Sequence, residues 1–433
     1  MTGRAEVYID GLLYAVRTGL DRAGQVVGIR RIPLTTDALP VPVPQSGTPK
    51  TENLLSVRQL EFRPPWGVGL YRGNDPHRVW DEENLNSLFQ FLTLGPLKNT
   101  PTMTSPPATF KIAVPGLVEG LNTIFIFGNG AAVDDEPIWY WVGSTTTWAS
   151  ATMNLDIAAD VKDITGMAQI GATLYGIAKN RFSVGGFDRR LVQATAVATW
   201  AVTHTDATNE TFAGELESHG LLAMTGGKLR SLHYNPNTSI QEQDTTPAVG
   251  NTWAAWGTTL LNASSAPRGY VLWHDYAGAE STFFSTRMGL YKGASAVGSA
   301  PILLWQFLKP RGTYTGTMKV GPDDKLYFAD GPNVGRLSWT TAGQPVIEYI
   351  GPHSMSSPEL AWDGLPLARQ GDVSSLAASK LQTWLYVGVG GLAAAKNASV
   401  MVFDVSAPSP DRAWHGPYKN GTAQRAIMAM HES

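Results

Sequence analysis

The sequence predicts an all-β protein, a β-propeller of about seven four-stranded blades preceded by a non-repeating arm. Three observations predict it. Trp148, Trp200, Trp253 and Trp305 follow one another at 52, 53 and 52 residues, the first three within the related strings "TTTWASA", "VATWAVT" and "GNTWAAW". A second series recurs beside it: short runs of alternating large apolar residues, each closed by a Gly- or Asn-containing turn, at 122–129, 172–180, 227–235, 286–294, 324–332 and 383–391, with an earlier member at 66–74. The composition agrees. Gly 45 and Pro 28 provide many turns, aromatics make up 10%, and charged residues only 16%, against ~25% in an ordinary globular chain.

Each run with its turn reads as a strand entering a hairpin. A unit of about fifty residues has room for four strands and their turns, the size of a propeller blade. Residues 165–202 supply such a set: "TGMAQIG", "TLYGIAKN", "RRLVQATA" and "TWAVT". Weak alternation in the inner runs fits strands buried on both faces. The 374 residues from position 60 onward then make about seven units. Each tryptophan opens the outer strand of its unit, after Thr147, Thr199 or Thr252 in the first three copies and after the turn glycine Gly250 in the third. A large ring at that point packs between neighbouring blades.

The ends depart from the repeat. Residues 1–50 contain a hairpin, "AEVYIDGLLYAVRT", a second extended run and the strap "LPVPVPQSGTP" at 39–49, which has polyproline character. Residues 51–433 are assigned to the propeller. Residues 79–92, "VWDEENLNSLFQFL", read as a helix with acids in its first turn. Residues 424–430 read as the strand that closes the ring by pairing with the N-terminal third.

Several classes are excluded by composition. A net charge of −3 with no basic block offers no footprint for nucleic acid. Cysteine is absent, which removes disulfides and thiolate-ligated metals. Asp10 and Gly11 interrupt the first apolar run, so it does not read as a secretory signal, and no run is long enough to insert in a membrane.

Chemistry-bearing motifs are few. Phosphate-binding glycine loops, His-Glu-x-x-His, calcium-loop and Gly-x-Ser-x-Gly patterns are all missing. No cofactor and no metal site is expected. The eight histidines are scattered, and the acidic tips at 134–136 and 322–324 read as solvent-facing turns. The densest polar and aromatic stretch is "VLWHDYAGAE" at 271–280, where Trp273, His274, Asp275 and Tyr276 adjoin. His274 and Asp275 have the types of a base and its orienter. With Trp139 and Trp141 of "IWYWVG", the four residues form a candidate ligand or partner surface.

Two resemblances follow. "TPAVGNTW" at 246–253 is similar to the Asp-box turn of sialidase-type propellers, Ser-x-Asp-x-Gly-x-Thr-Trp: Gly250, Thr252 and Trp253 match, while Ala248 stands at the Asp position. "RRIP" at 30–33 resembles the Arg-Ile-Pro of sialidases, which implies a carboxylate-gripping role for Arg31 and a glycoside hydrolase as one alternative. In composition, length and architecture the chain resembles structural components of tailed bacteriophage virions, of tail, nozzle or tip type. That resemblance implies a non-enzymatic virion protein made in the host cytoplasm, present in several copies in a symmetric assembly, with residues 1–50 contacting other virion proteins. A carbohydrate- or receptor-binding propeller that engages a host-surface glycan is the other alternative. If 424–430 closes the ring, deleting the last ten residues will abolish the cooperative thermal transition; an unchanged melting temperature would count against it.

Overall fold

A computed structural model describes residues 111–129, 138–142, 148–154, 161–181, 187–205, 217–235, 239–248, 253–258, 260–261, 267, 269–286, 288–307, 317–352, 371–390, 397–407, 413–424 and 430. It also describes eight short strands before them: β1 (Arg4–Ile9) with β2 (Leu12–Arg17), β3 (Gly19–Leu20) with β4 (Val26–Val27), β5 (Gly67–Val68) with β6 (Arg78–Val79), and β7 (Leu85–Asn86) with β8 (Thr93–Leu94).

The described residues form six blades of four antiparallel strands. Blade 1 holds β9 (Lys111–Gly120), β10 (Thr123–Asn129), β11 (Ile138–Trp141) and β12 (Trp148–Ser150), after which β13 (Thr152–Asn154) crosses to the next blade. Blade 2 holds β14 (Val161–Ile170), β15 (Thr173–Arg181), β16 (Phe187–Ala196) and β17 (Thr199–Thr205). Blade 3 holds β18 (Glu217–Met224), β19 (Lys228–Asn235), β20 (Ser239–Thr245) and β21 (Ala254–Ala255), with β22 (Leu260–Leu261) also on β20. Blade 4 holds β23 (Tyr270–His274), β24 (Glu280–Ser285), β25 (Gly289–Lys292) and β26 (Ile302–Gln306). Blade 5 holds β27 (Met318–Val320), β28 (Leu326–Asp330), β29 (Asn333–Trp339) and β30 (Pro345–Gly351). Blade 6 holds β31 (Asp372–Ala378), β32 (Trp384–Gly390), β33 (Asn397–Asp404) and β34 (Trp414–Gln424).

Six blades are counted among the described residues, where the spacing predicts about seven. The four-stranded sheets there begin at Lys111. One member of the apolar series also belongs to a different strand: 286–294 carries β25, the third strand of blade 4, whereas the other described members carry second strands. The second strand of blade 4 is β24, "ESTFFS", whose residues after Glu280 are all buried. No alternation survives there, because both faces lie against other blades.

Within the helix expected at 79–92, Val79 pairs with Val68 and Leu85–Asn86 with Thr93–Leu94 as strand, so strand pairing overrides helix propensity at those positions; residues 80–84 and 87–92 lie outside the described residues. No helix occurs among the described residues.

The apolar core is divided into clusters at the seams between blades. Phe125, Phe127 and Ile138 of blade 1 meet Met167, Leu174 and Trp200 of blade 2. Tyr175, Ile177 and Leu191 of blade 2 meet Leu221 and Leu229 of blade 3. Leu232 and Ile240 of blade 3 meet Phe284 of blade 4. Trp273, Phe283 and Leu290 of blade 4 meet Leu326, Phe328 and Leu337 of blade 5. Tyr327, Val334 and Ile350 of blade 5 meet Val387, Phe403 and Trp414 of blade 6. Blade 6 meets blade 1 through an ion pair of Lys380 with Glu119, and β5 lies against β34. At Gln424 β34 still pairs with Asn397 of β33; residues 425–429 of the expected closing strand lie outside the described residues.

Inner strands approach closely enough to demand glycine. A Cβ on Gly166 would stand 2.5 Å from the Leu221 nitrogen of blade 3. Gly220 has φ +81° and faces Tyr270 of blade 4 at 3.1 Å, so both backbone and space favour glycine there.

The tryptophan series lies on or beside outer strands, but only Trp148 opens one: it starts β12, Trp200 is the second residue of β17, Trp253 precedes β21 and Trp305 stands near the end of β26. Their environments differ. Trp200 is fully buried, edge-on to Phe125 at 5.9 Å. Trp253 packs against the seam of blades 2 and 3. Trp148 is half-buried. Trp305 is 38% exposed and is no wedge; its Nε1 donates to the Tyr349 hydroxyl of blade 5 at 2.9 Å. The outer strand of blade 6 supplies a wedge the spacing missed: Trp414 is buried and donates to the Ile350 carbonyl of blade 5 at 2.6 Å. Thr199 lies in β17, while Thr147, Thr252 and Gly250 fall outside the described residues. Trp200→Ala is expected to cost about 3–5 kcal/mol, and Trp305→Ala within about 1 kcal/mol, read as denaturation midpoints by far-ultraviolet circular dichroism. Equal losses would contradict the seam assignment.

Candidate functional site

The first hairpin of blade 4 joins β23 to β24 and carries the densest polar stretch of the sequence. Asp275 builds its turn: Oδ1 accepts from the amides of Ala277 (2.9 Å) and Ala279 (3.0 Å), an Asx turn. Gly278 takes φ +78°. Asp275 Oδ2 accepts from Lys292 Nζ at 2.9 Å. Burial pushes this carboxyl up, but Lys292 and the two amides outweigh it and hold it below its usual value. Asp275 is thus an organiser of the hairpin.

His274 pairs with a different acid from the one its sequence neighbour offers. Its Nε2 lies 2.9 Å from Asp324 Oδ2 of blade 5, and its Nδ1 lies 3.0 Å from the Asp275 carbonyl. Both ring nitrogens face acceptors, so the doubly protonated ring satisfies both. The pKa is raised accordingly, chiefly by the carbonyl bond, against burial and with the help of Asp324.

Asp324 sits in the left-handed region at φ +55°. It also receives Trp273 Nε1, at 3.2 Å on both its carbonyl and Oδ1. The acidic tip at 322–324 is therefore a blade-to-blade junction and not a free turn. Asp323 is turned inward, accepting the Tyr327 hydroxyl at 2.9 Å with Arg336 at 3.8 Å. The Asp324 carboxylate side chain nevertheless remains 72% exposed.

An aromatic group completes the seam. Trp273 is buried and stacks on Trp339 of β29 at 6.0 Å and 15°. Trp339 Nε1 donates to the His274 carbonyl at 3.3 Å. Tyr276 is 60% exposed and stands edge-on to Trp339 at 6.4 Å. Its ring lies over Gly343 (φ +78°), where a Cβ would come within 2.9 Å of it.

Thus Trp273, His274, Asp275 and Tyr276 are brought together, joined by Asp324 and Trp339, which lie 50 and 65 residues beyond His274. No local signal links those two to the stretch. Trp139 and Trp141 lie half-buried on β11 of blade 1, apart from this group. Arg31 and the acidic tip 134–136 fall outside the described residues.

A second polar cluster lies inside the seam of blades 3 and 4. Glu242, 1% exposed, accepts the hydroxyls of Tyr270 (2.9 Å) and Thr282 and the Ala294 amide (2.8 Å). Burial, then Glu242, raise the Tyr270 pKa well above its usual value. Beside it Arg230 grips Asp244 at 2.6 and 3.0 Å and lies 3.6 Å over the Trp256 ring. Glu242 is enclosed, and its donors from blade 4 tie blades 3 and 4 together.

No family model matches the sequence, and no curated protein matches it. Solved structures with a similar fold include an α-L-arabinofuranosidase of Fusarium graminearum (13% identity, 70% of this chain and 96% of that one, TM-score 0.45). They also include an α-L-arabinanase of Penicillium chrysogenum (14%, 69% and 96%, TM-score 0.44). A third is a puromycin-hydrolyzing peptidase of Mycobacterium tuberculosis (14%, 70% of this chain, TM-score 0.41), of which this chain spans only 44%. These are likenesses of fold. The expectation of a non-enzymatic virion component rested on the ring architecture, which by itself specifies no function, and it is not carried forward.

A histidine with a raised folded-state pKa stabilises fully below its unfolded value, near 6.5. That contribution disappears as pH rises through the folded value. The stability difference between the native chain and His274→Gln should therefore be largest near about pH 5.5 and shrink by about pH 8.5, measured by urea denaturation. A difference independent of pH would contradict the assigned protonation.

Proposed function

We propose that the protein is a carbohydrate-directed propeller whose saccharide surface is the patch of Tyr276, Trp339, His274 and Asp324 at the seam of blades 4 and 5. The observation that carries the reading is Tyr276, exposed to 60% yet braced edge-on against Trp339 and over Gly343. A ring already fixed loses little freedom when it stacks on a ligand. An aromatic face covers the C–H side of a pyranose or furanose, and nearby polar groups orient its hydroxyls. Asp324 supplies exposed acceptors for those hydroxyls, and the His274 ring beside it is 36% exposed.

Glycoside hydrolysis at the same patch is a second reading, favoured by one contact. A carboxylate and an imidazole share a 2.9 Å bond, so a glycoside that displaced this bond would meet a proton donor beside an anion. The sialidase-like version of that reading relied on Arg31 and is not carried forward.

A glycan array with the full chain should give at least one neutral saccharide ligand. Tyr276→Ala should weaken it by about tenfold or more, without lowering the melting temperature, and Trp139→Ala should leave it unchanged. Release of reducing sugar from the bound polysaccharide, abolished in Asp324→Asn while binding persists, would establish the second reading. An array without ligands, or affinity insensitive to Tyr276→Ala, would defeat both.

A further inference from the structure

Between blades 5 and 6, beside the first hairpins of both, lies a cleft of about 260 Å³. One wall is the end of β27 and its turn, from Lys319 to Pro322. The other is the end of β31 and its turn, from Ala377 to Lys380. Met430 also lines it. This cleft is separate from the aromatic patch, which lies at the preceding seam.

The charges around the cleft do not balance. Two lysines line it and no acid does. The acids nearest in sequence are engaged elsewhere. Asp323 faces Tyr327, Lys325 and Arg336. Asp324 is turned to Trp273 and His274 of blade 4. Glu119 of blade 1 takes Lys380. Lys319 has no ion-pair partner among the described residues. Lys319 is exposed on β27, and the protein around its stem, then the Lys380 charge, lower its pKa. Two cations that repel one another across a cleft are stabilised by an anion between them. The remaining walls are apolar or small: Val320, Pro322, Ala377 and Met430. They suit the body of a compact molecule more than a hydrated inorganic ion.

We propose that this cleft binds a small oxyanion, a carboxylate or a phosphate monoester, clamped between Lys319 of blade 5 and Lys380 of blade 6. The ligand bridges two blades, so it also strengthens the seam adjoining the contact between blade 6 and blade 1. Glu119 competes with it for Lys380.

The test is isothermal titration of the full chain with inorganic phosphate, citrate and glucuronate at constant ionic strength, with chloride as the reference salt. Saturable binding of at least one of the three is expected. A phosphate-only response identifies a phosphate ligand; a response to citrate or glucuronate identifies a carboxylate. Lys319→Gln should weaken the interaction by roughly tenfold or more. Glu119→Gln, which removes the competing carboxylate while keeping the Lys380 charge, should tighten it. Tyr276→Ala should leave it unchanged, which separates this site from the saccharide patch. The proposal is overturned if no anion binds saturably, if Lys319→Gln binds as well as the native chain, or if Glu119→Gln weakens binding.

Discussion

Everything in this ring depends on burial between blades. A single four-stranded blade has two faces and no core of its own, so its second and third strands are covered only when a neighbour packs on each side. β28, fully buried, and β24, buried at every residue after Glu280, are the direct expression of that requirement. At roughly 25 cal/mol per Å² of apolar surface removed from water, each seam is a source of stability that no isolated blade possesses. The wedges Trp200 and Trp414 concentrate that burial at the rim, where strands splay and smaller side chains would leave gaps.

The seams are not equivalent. Those joining blades 1–2, 4–5 and 5–6 are broad apolar clusters. Of the five apolar clusters among the described residues, that of blades 3 and 4 is the smallest, and a buried polar network stands beside it. Glu242 receives three donors there, and Arg230 is matched by a bidentate carboxylate and an aromatic face. A carboxylate out of water needs donors arranged in advance, so this network fixes the relative position of two blades more narrowly than apolar contact does. At the seam of blades 4 and 5 both principles meet. Stacked tryptophans lie inside, and His274 with Asp324 lies at the surface. The proposed saccharide patch lies where this seam reaches solvent, so its braced aromatic and charged groups remain accessible.

Legibility followed the range of the interactions. Second strands were visible as apolar runs because strand and hairpin are local. Blade 4 misled because "TRMGLYKGA" has the same local pattern as a second strand, and only pairing assigns β25 to third place. Residues 79–92 carry helical signals that a short strand pairing overrode. The stretch 271–280 stood out by composition. Its working partners Asp324 and Trp339 did not, since nothing near them in sequence distinguishes an acidic hairpin tip in water from one bonded to the next blade.

The sequence by itself determined an all-β ring of repeated four-stranded units and, in blades 1 to 4, the outer strand beside which the marker tryptophan lies. Spacing and alternation record backbone pairing within one unit, and pairing within a unit is short-range. The tertiary structure alone decided the number of blades, which tryptophans are wedges, and which acid faces His274. Those outcomes depend on how one blade lies against the next, a contact between residues about fifty positions apart that leaves no periodic trace in the chain.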